Sequence, residues 1–166
     1  VKDAIIKLLE DVFGNAYALI VLIGSAIPIT EQRATIPLGI YWGLSPWLVL
    51  ILAFVGSLLP VAPLLLLYTR IITWMFTVPW LGGFTRAIDR KVRRNAERFK
   101  KSTEIALILF VAIPLPATGL WTGSMVASLL GFDFRKSFIC VALGGLISAI
   151  VLTVVFTLIR YGFTPT

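Results

Sequence analysis

Glu31 and Arg33 stand two positions apart in the stretch 26–39, AIPITEQRATIPLG, with apolar sequence on both sides. Burying an ionisable side chain at membrane depth costs at least about 2.5 to 3.5 kcal/mol, so a carboxylate and a guanidinium in such a setting mark a candidate site. Residues two apart on a helix point about 200° from one another, so the two groups face each other only if the chain unwinds there. Pro28 and Pro37 encourage that. An unwound tip exposes the positive end of the helix that follows, which Thr35 can cap, with the Thr30 hydroxyl beside it. With Arg33, that end favours an anion such as a phosphate group. Glu31 would repel the anion unless protonated, which ties substrate entry to a proton. Two other readings stay open: Glu31 as the counter-ion of a cationic substrate, and Glu31 with Arg33 as a structural pair closing the tip.

The same phrase returns at 112–123, AIPLPATGLWTG, so that a slide of 86 positions lays Ala26-Ile27-Pro28 on Ala112-Ile113-Pro114. The chain reads as two related halves. In the second copy Pro114, Pro116 and Gly119 interrupt the apolar run, Thr118 or Thr122 can cap the following half-helix, and Trp121 can stack on a substrate or pack.

The elements that must position these tips are apolar. Of the 166 residues 58% are hydrophobic and 14% charged, with a mean hydropathy of +0.96, which places the chain among integral membrane proteins. There is no histidine, which removes a zinc-protease helix, a Ser-His-Asp triad and any histidine proton relay. Cys140 is the one cysteine and lies in an apolar run, so neither a disulfide within the chain nor a thiolate metal cluster is expected. We therefore expect no enzyme activity, no cofactor and no metal. The acidic residues among 2–11 argue against a signal peptide there.

Residues 3–16 carry apolar groups at helical spacing and read as an amphipathic interfacial helix. The runs 17–30 and 34–44 are each too short to span, since a crossing needs about 20 residues, and together they read as a re-entrant hairpin. Ser45-Pro46 starts a full-length run at 47–68, in which Pro60 and Pro63 predict a kink. The segment 86–101 holds eight Lys or Arg against Asp89 and Glu97 and reads as a basic interfacial helix gripping anionic headgroups, not nucleic acid. Residues 103–132 repeat the hairpin and 137–158 the span, with Gly144-Gly145 as a second weak point.

The expected fold is thus an all-α integral membrane domain over 1–166, built as two inverted repeats, each a re-entrant hairpin plus one full transmembrane helix, with amphipathic interfacial helices. The first repeat is 1–80 (hairpin 17–44, span 47–69), the basic loop 85–102, and the second repeat 103–166 (hairpin 103–132, span 137–159). Arg70, the basic loop, Arg135 and Lys136 fall on one side, against Lys2, Lys7 and Arg160 on the other. The positive-inside rule then makes the loop cytoplasmic and both termini external. Inverted repeats with broken helices belong to secondary transporters. Leu65, Leu66 and Leu67 have few partners within one chain, which predicts a homodimer or larger assembly.

The two tips, AIPITEQRATIPLGI and AIPLPATGLWTGS, resemble those of the small multidrug export protein family, a prokaryotic group similar to the DedA superfamily of re-entrant-hairpin membrane proteins. The resemblance implies a plasma-membrane protein with an acid, Glu31, in the first hairpin and a basic neighbour, Arg33. It further implies proton-linked transport of a lipid phosphate or export of small cationic compounds. DedA proteins typically carry arginines in the second hairpin as well, and 116–119 has none. From the sequence, the first-ranked expectation is a transporter or flippase moving an anionic lipid headgroup such as polyprenyl phosphate, with proton coupling through Glu31. A proton-coupled exporter of small cationic drugs ranks second and a non-transporting scaffold third. Expected partners are membrane lipids, the proton, the small-molecule or lipid-phosphate substrate and a second copy of the chain.

Overall fold

A computed structural model of the chain describes residues 16–77, 103–114 and 118–162. The amphipathic helix expected before residue 16, the basic segment 86–101 and Pro116 lie outside the described residues. Every described element is a helix, and the chain divides into two compact units, 1–60 with 146–166 and 61–145.

In the first unit, α1 (Ala16–Ala26) and α2 (Glu31–Tyr41) form an antiparallel hairpin. The pairing is read from contacts that count up one arm and down the other: Ser25 meets Thr35, Val21 meets Gly39, and Tyr17 stacks on Trp42 with ring centroids 4.8 Å apart. Gly43, with φ at 89°, ends α2 in the left-handed turn that glycine adopts at least cost, and its N–H donates to Ile40 O at 3.1 Å. The next helix, α3 (Pro46–Leu58), starts as its sequence dictates: Ser45 Oγ accepts from Leu48 N at 3.3 Å, and Pro46 fills the first position, where no N–H is needed. Its face of Val49, Leu52 and Ala53 packs with Ala18, Val21, Ile36 and Ile40 into one core, joined by Ala149 and Leu152 from the last helix.

The second unit holds α4 (Val61–Thr77), α5 (Thr103–Ala112), α6 (Leu120–Leu129) and the start of α7 (Phe134–Gly162). Here α4 and α6 pack on each other, and Gly123 and Gly144 both bring their backbones against Val111 of α5. Gly131, φ 69°, ends α6 as Gly43 ends α2. Lys136 Nζ lies 3.3 Å from Glu104 Oε1 and ties α7 to α5 near the polar ends of both.

The units share one burial pattern. Val49, Leu52, Ala53, Gly56 and Ser57 are buried, and so are Ser137, Cys140, Val141, Gly144 and Gly145, a shift of 88 positions. The same shift carries Gln32, Thr35, Ile36, Gly39 and Ile40 onto buried Leu120, Gly123, Ser124, Ala127 and Ser128. On the first arms the shift is 86, which carries Val21 and Ser25 onto Leu107 and Val111. The repeat is therefore present in the packing, and the second tip is two residues longer than the first.

The stretches Pro46–Tyr68 and Phe134–Gly162 are long and apolar enough to cross a membrane, at 23 and 29 residues against the ~20 a bilayer requires. Ile51, Val55, Leu66, Leu67, Ile147, Val151 and Leu158 are exposed on them, an outer surface suited to lipid rather than water. Two expectations about these spans need correction. The first run breaks at Leu59-Pro60, but Pro63 sits in the first turn of α4, where its missing N–H costs nothing. Gly144-Gly145 is no weak point: α7 runs through it unbroken, and the glycines are contact positions. A Cβ at Gly144 would stand 2.7 Å from Ile108 O.

Candidate functional site

The tip of the first hairpin is a turn over residues 27–30, closed by Ile27 N donating to Gly24 O at 3.2 Å and Glu31 N to Ile27 O at 2.9 Å. Pro28 falls inside this turn, where a missing N–H breaks no ladder. Glu31 is the first residue of α2 and carries φ at 38°, the one positive φ outside glycine among the described residues. A non-glycine residue held in that region costs about 1 to 3 kcal/mol, which the surrounding packing has to offset. Its side chain is 6% exposed and that of Gln32 is 1% exposed, whereas Arg33 is half-buried. All three lie in the first turn of α2, and the Glu31 carboxylate is near enough to act electrostatically on the Arg33 guanidinium. The positive end of α2 thus carries its own carboxylate.

Behind the acid lies a polar cluster. Ser25 Oγ and Thr35 Oγ1 are 2.6 Å apart, while Ser25 also reaches Val21 O at 2.6 Å and Thr35 reaches Glu31 O at 2.9 Å. Two hydroxyl protons serve three contacts, so one bridges the two side chains and the other returns to its own helix. Ser57 Oγ of α3 stands 3.3 Å from Gln32 Oε1 and 2.9 Å from Phe54 O, pinning the tip to the span. Thr30 Oγ1 donates to Gly24 O and folds the turn back on α1. The tip thus keeps a carboxylate away from bulk water on a helix end fixed by hydroxyl and amide contacts, and a buried carboxylate can take up either a proton or a cationic group. Among the described residues no three His, Cys, Asp or Glu come together to hold a metal ion.

The second tip differs. Thr118 Oγ1 donates to Ile113 O at 2.7 Å, as Thr30 does in its own hairpin, but the N-cap of α6 is Gly119, with no side-chain cap. Glu31, Gln32, Thr35 and Ser57 correspond in burial to Gly119, Leu120, Gly123 and Gly145.

Residues 31–151 match the model of the family described as "Putative small multi-drug export protein". The chain belongs to this family. No curated protein and no solved structure matches it. The family match opens at Glu31 and takes in the second arm of the first hairpin, the first candidate span, the whole second hairpin and the second candidate span as far as Val151.

The structure brings Thr30, Glu31, Arg33 and Thr35 together at one tip, and Thr118, Trp121 and Thr122 at the other, each in its own unit. The capping roles expected of three threonines do not occur. Thr35 is the fifth residue of α2 and bonds sideways to Ser25, Thr118 precedes the N-cap Gly119, and Thr122 lies inside α6. Pro37 is no hairpin break either, since α2 runs through it, whereas Pro114 and Gly119 flank the second tip outside the helices. Trp121 is half-buried in the first turn of α6. Ser25, Gln32 and Ser57 complete the first site although spacing does not single them out. Their signal is weaker: lone polar residues inside apolar runs, which only the hairpin pairing shows to converge.

Proposed function

We propose that the protein exports small cationic organic compounds and that Glu31 is the exchange site, holding a proton and the substrate in turn. The observation that carries this reading is the buried Glu31 itself, kept at a strained backbone position at the first residue of α2. Family membership supports export of drug-like compounds, and a carboxylate at the helix N-terminus satisfies the positive end that an anionic substrate would otherwise use. The coupling follows from charge: a cation neutralises Glu31 on one side of the membrane, and a proton replaces it on the other, giving antiport. No step alters the substrate covalently, so the protein is no enzyme in this reading.

A second reading, transport of an anionic lipid headgroup in the manner of DedA proteins, is favoured by the half-exposed Arg33 beside the acid. Both readings use the same membrane arrangement. Each hairpin, with arms of about 16 Å, enters and returns on a single side, the first on that of the N-terminus and the second on that of the basic loop, and α3–α4 and α7 cross the plasma membrane in opposite senses. In this arrangement the two units are inverted repeats, the excess of Lys and Arg puts the basic loop in the cytoplasm and both termini outside, and a homodimer is the working unit.

Proteoliposomes with an imposed proton gradient test the proposal. Glu31→Gln should abolish gradient-driven uptake of a small fluorescent cation, while Arg33→Ala leaves it intact or faster. If instead Arg33→Ala abolishes translocation of a lipid phosphate and Glu31→Gln removes only its pH dependence, the second reading holds.

A further inference from the structure

The first unit holds a groove of about 510 Å³ that the tip does not use. Its walls are apolar: α2 supplies Pro37, Leu38 and Tyr41, and α7 supplies Phe156 and Ile159. One cation stands in the lining, Arg160 in the last turn of α7. Its Nη2 would lie 3.6 Å from a Cβ at Gly43, so the guanidinium is beside the turn that ends α2. Aromatic rings mark the same level. Arg160 lies over the Tyr161 ring at 5.4 Å from its centroid, Tyr41 is exposed in the last turn of α2, and Trp42 stacks on Tyr17. Tyr and Trp concentrate where a bilayer meets water, and a basic residue at the end of a span sits at headgroup depth. From that level the groove runs about 6 Å inward, the rise of the four residues from Arg160 back to Phe156 or from Tyr41 back to Pro37.

We propose that this groove is a binding site for an anionic phospholipid of the surrounding bilayer, with the lipid phosphate on Arg160 and the first part of an acyl chain against Leu38, Pro37 and Phe156. Charge complementarity selects the lipid class. An arginine presents paired N–H donors that match phosphate oxygens, and the walls below it offer only apolar contact. A free phosphate would leave those walls without a ligand, and a zwitterionic lipid would bring its own cation to the arginine. The site stands apart from Glu31 and does not depend on what the tip transports. The bound lipid holds α2, and with it the strained tip, against α7.

Thermal unfolding of the full-length chain in a neutral detergent tests this, with phosphatidylglycerol, phosphatidylcholine or inorganic phosphate added. Phosphatidylglycerol should raise Tm saturably, with the other two giving little. Arg160→Gln should raise the half-saturating concentration about tenfold or more, the loss of one charge-assisted contact. Leu38→Trp places a ring in the groove from a position 43% exposed, where folding tolerates it, and should blunt the same response. If Arg160→Gln does not fold, Leu38→Trp decides. A wild-type response that phosphatidylcholine or inorganic phosphate reproduces overturns the proposal. So does an undiminished response in Leu38→Trp, or a chain that ignores lipid while Leu38→Trp alters its self-association.

Discussion

Ser25 and Thr35 stand in the first hairpin where Val111 and Gly123 stand in the second, and Gln32 beside Ser57 is answered by Leu120 beside Gly145. The frames around them are alike. A Cβ on Gly56 would run into Leu22 O and Ser25 Cβ, and one on Gly144 would run into Ile108 O and Val111 Cβ. Each hairpin thus meets its span through a glycine pressed on the carbonyl of the first arm. What differs is the lining: hydroxyls, an amide and an acid in one, aliphatic carbon and glycine in the other. Packing geometry and chemistry are carried by separate positions, so one hairpin can be specialised while the other keeps the shared frame.

The comparison predicts where substitutions should differ and where they should not. The largest contrast is functional. Glu31→Gly relieves the φ of 38° and installs the residue found at Gly119, so it should unfold no earlier than wild type yet lose substrate transport, while Gly119→Ala should leave transport within about twofold. Uptake into proteoliposomes, read beside a melting curve, checks both. Next come the frame glycines. Gly56→Ala and Gly144→Ala should each destabilise by about 1 to 3 kcal/mol through overpacking, Gly56→Ala the more, because its methyl group would stand closer to Leu22 O than the other's would, at 2.7 Å, to Ile108 O. A Gly144→Ala variant with the Tm of wild type would break the equivalence of the hairpins.

A smaller effect sharpens the polar side. Gln32→Leu and Ser57→Gly convert the first hairpin toward the second. Each alone removes the 3.3 Å contact between them, while Ser57 keeps Phe54 O in Gln32→Leu, and should cost about 1 kcal/mol, and the double variant should cost less than their sum. Additive losses would mean that the two side chains do not depend on one another. The smallest effect belongs to Lys136 and Glu104, a pair 3.3 Å apart with both partners partly exposed. Lys136→Met should change stability by about 1 kcal/mol or less, and raised salt should remove the difference.

Much of this frame was legible because membrane burial writes long apolar runs. The tip at Pro28, the start at Ser45-Pro46 and the repeat of Ala26-Ile27-Pro28 at Ala112-Ile113-Pro114 all follow from local chemistry. Other features were not. Pro37 looks like a break, yet α2 tolerates it in its second turn, where the proline removes a single N–H from the helix ladder. Gly144-Gly145 looks like a weak point because propensity sees a missing side chain and not the helix that leans on it. Leu65 looks short of partners and is 2% exposed, while Leu66 and Leu67 beside it are exposed; helical phase alone separates the three. Arg33 beside Glu31 drew the eye, but the buried neighbour between them is Gln32, whose partner Ser57 lies 25 residues on.

The two extra residues of the second tip show where this fold can change length. Each residue inserted in a helix turns everything after it by about 100°, so two residues inside an arm would swing its buried stripe about 200° and face it outward. In the turn between the arms the same insertion leaves both stripes in register, which is how the shift of 86 on the first arms and 88 beyond them can coexist. The tips are thus natural entry points for inserted sequence. Loop variation could reshape the mouth of either hairpin there while every helix keeps its neighbours.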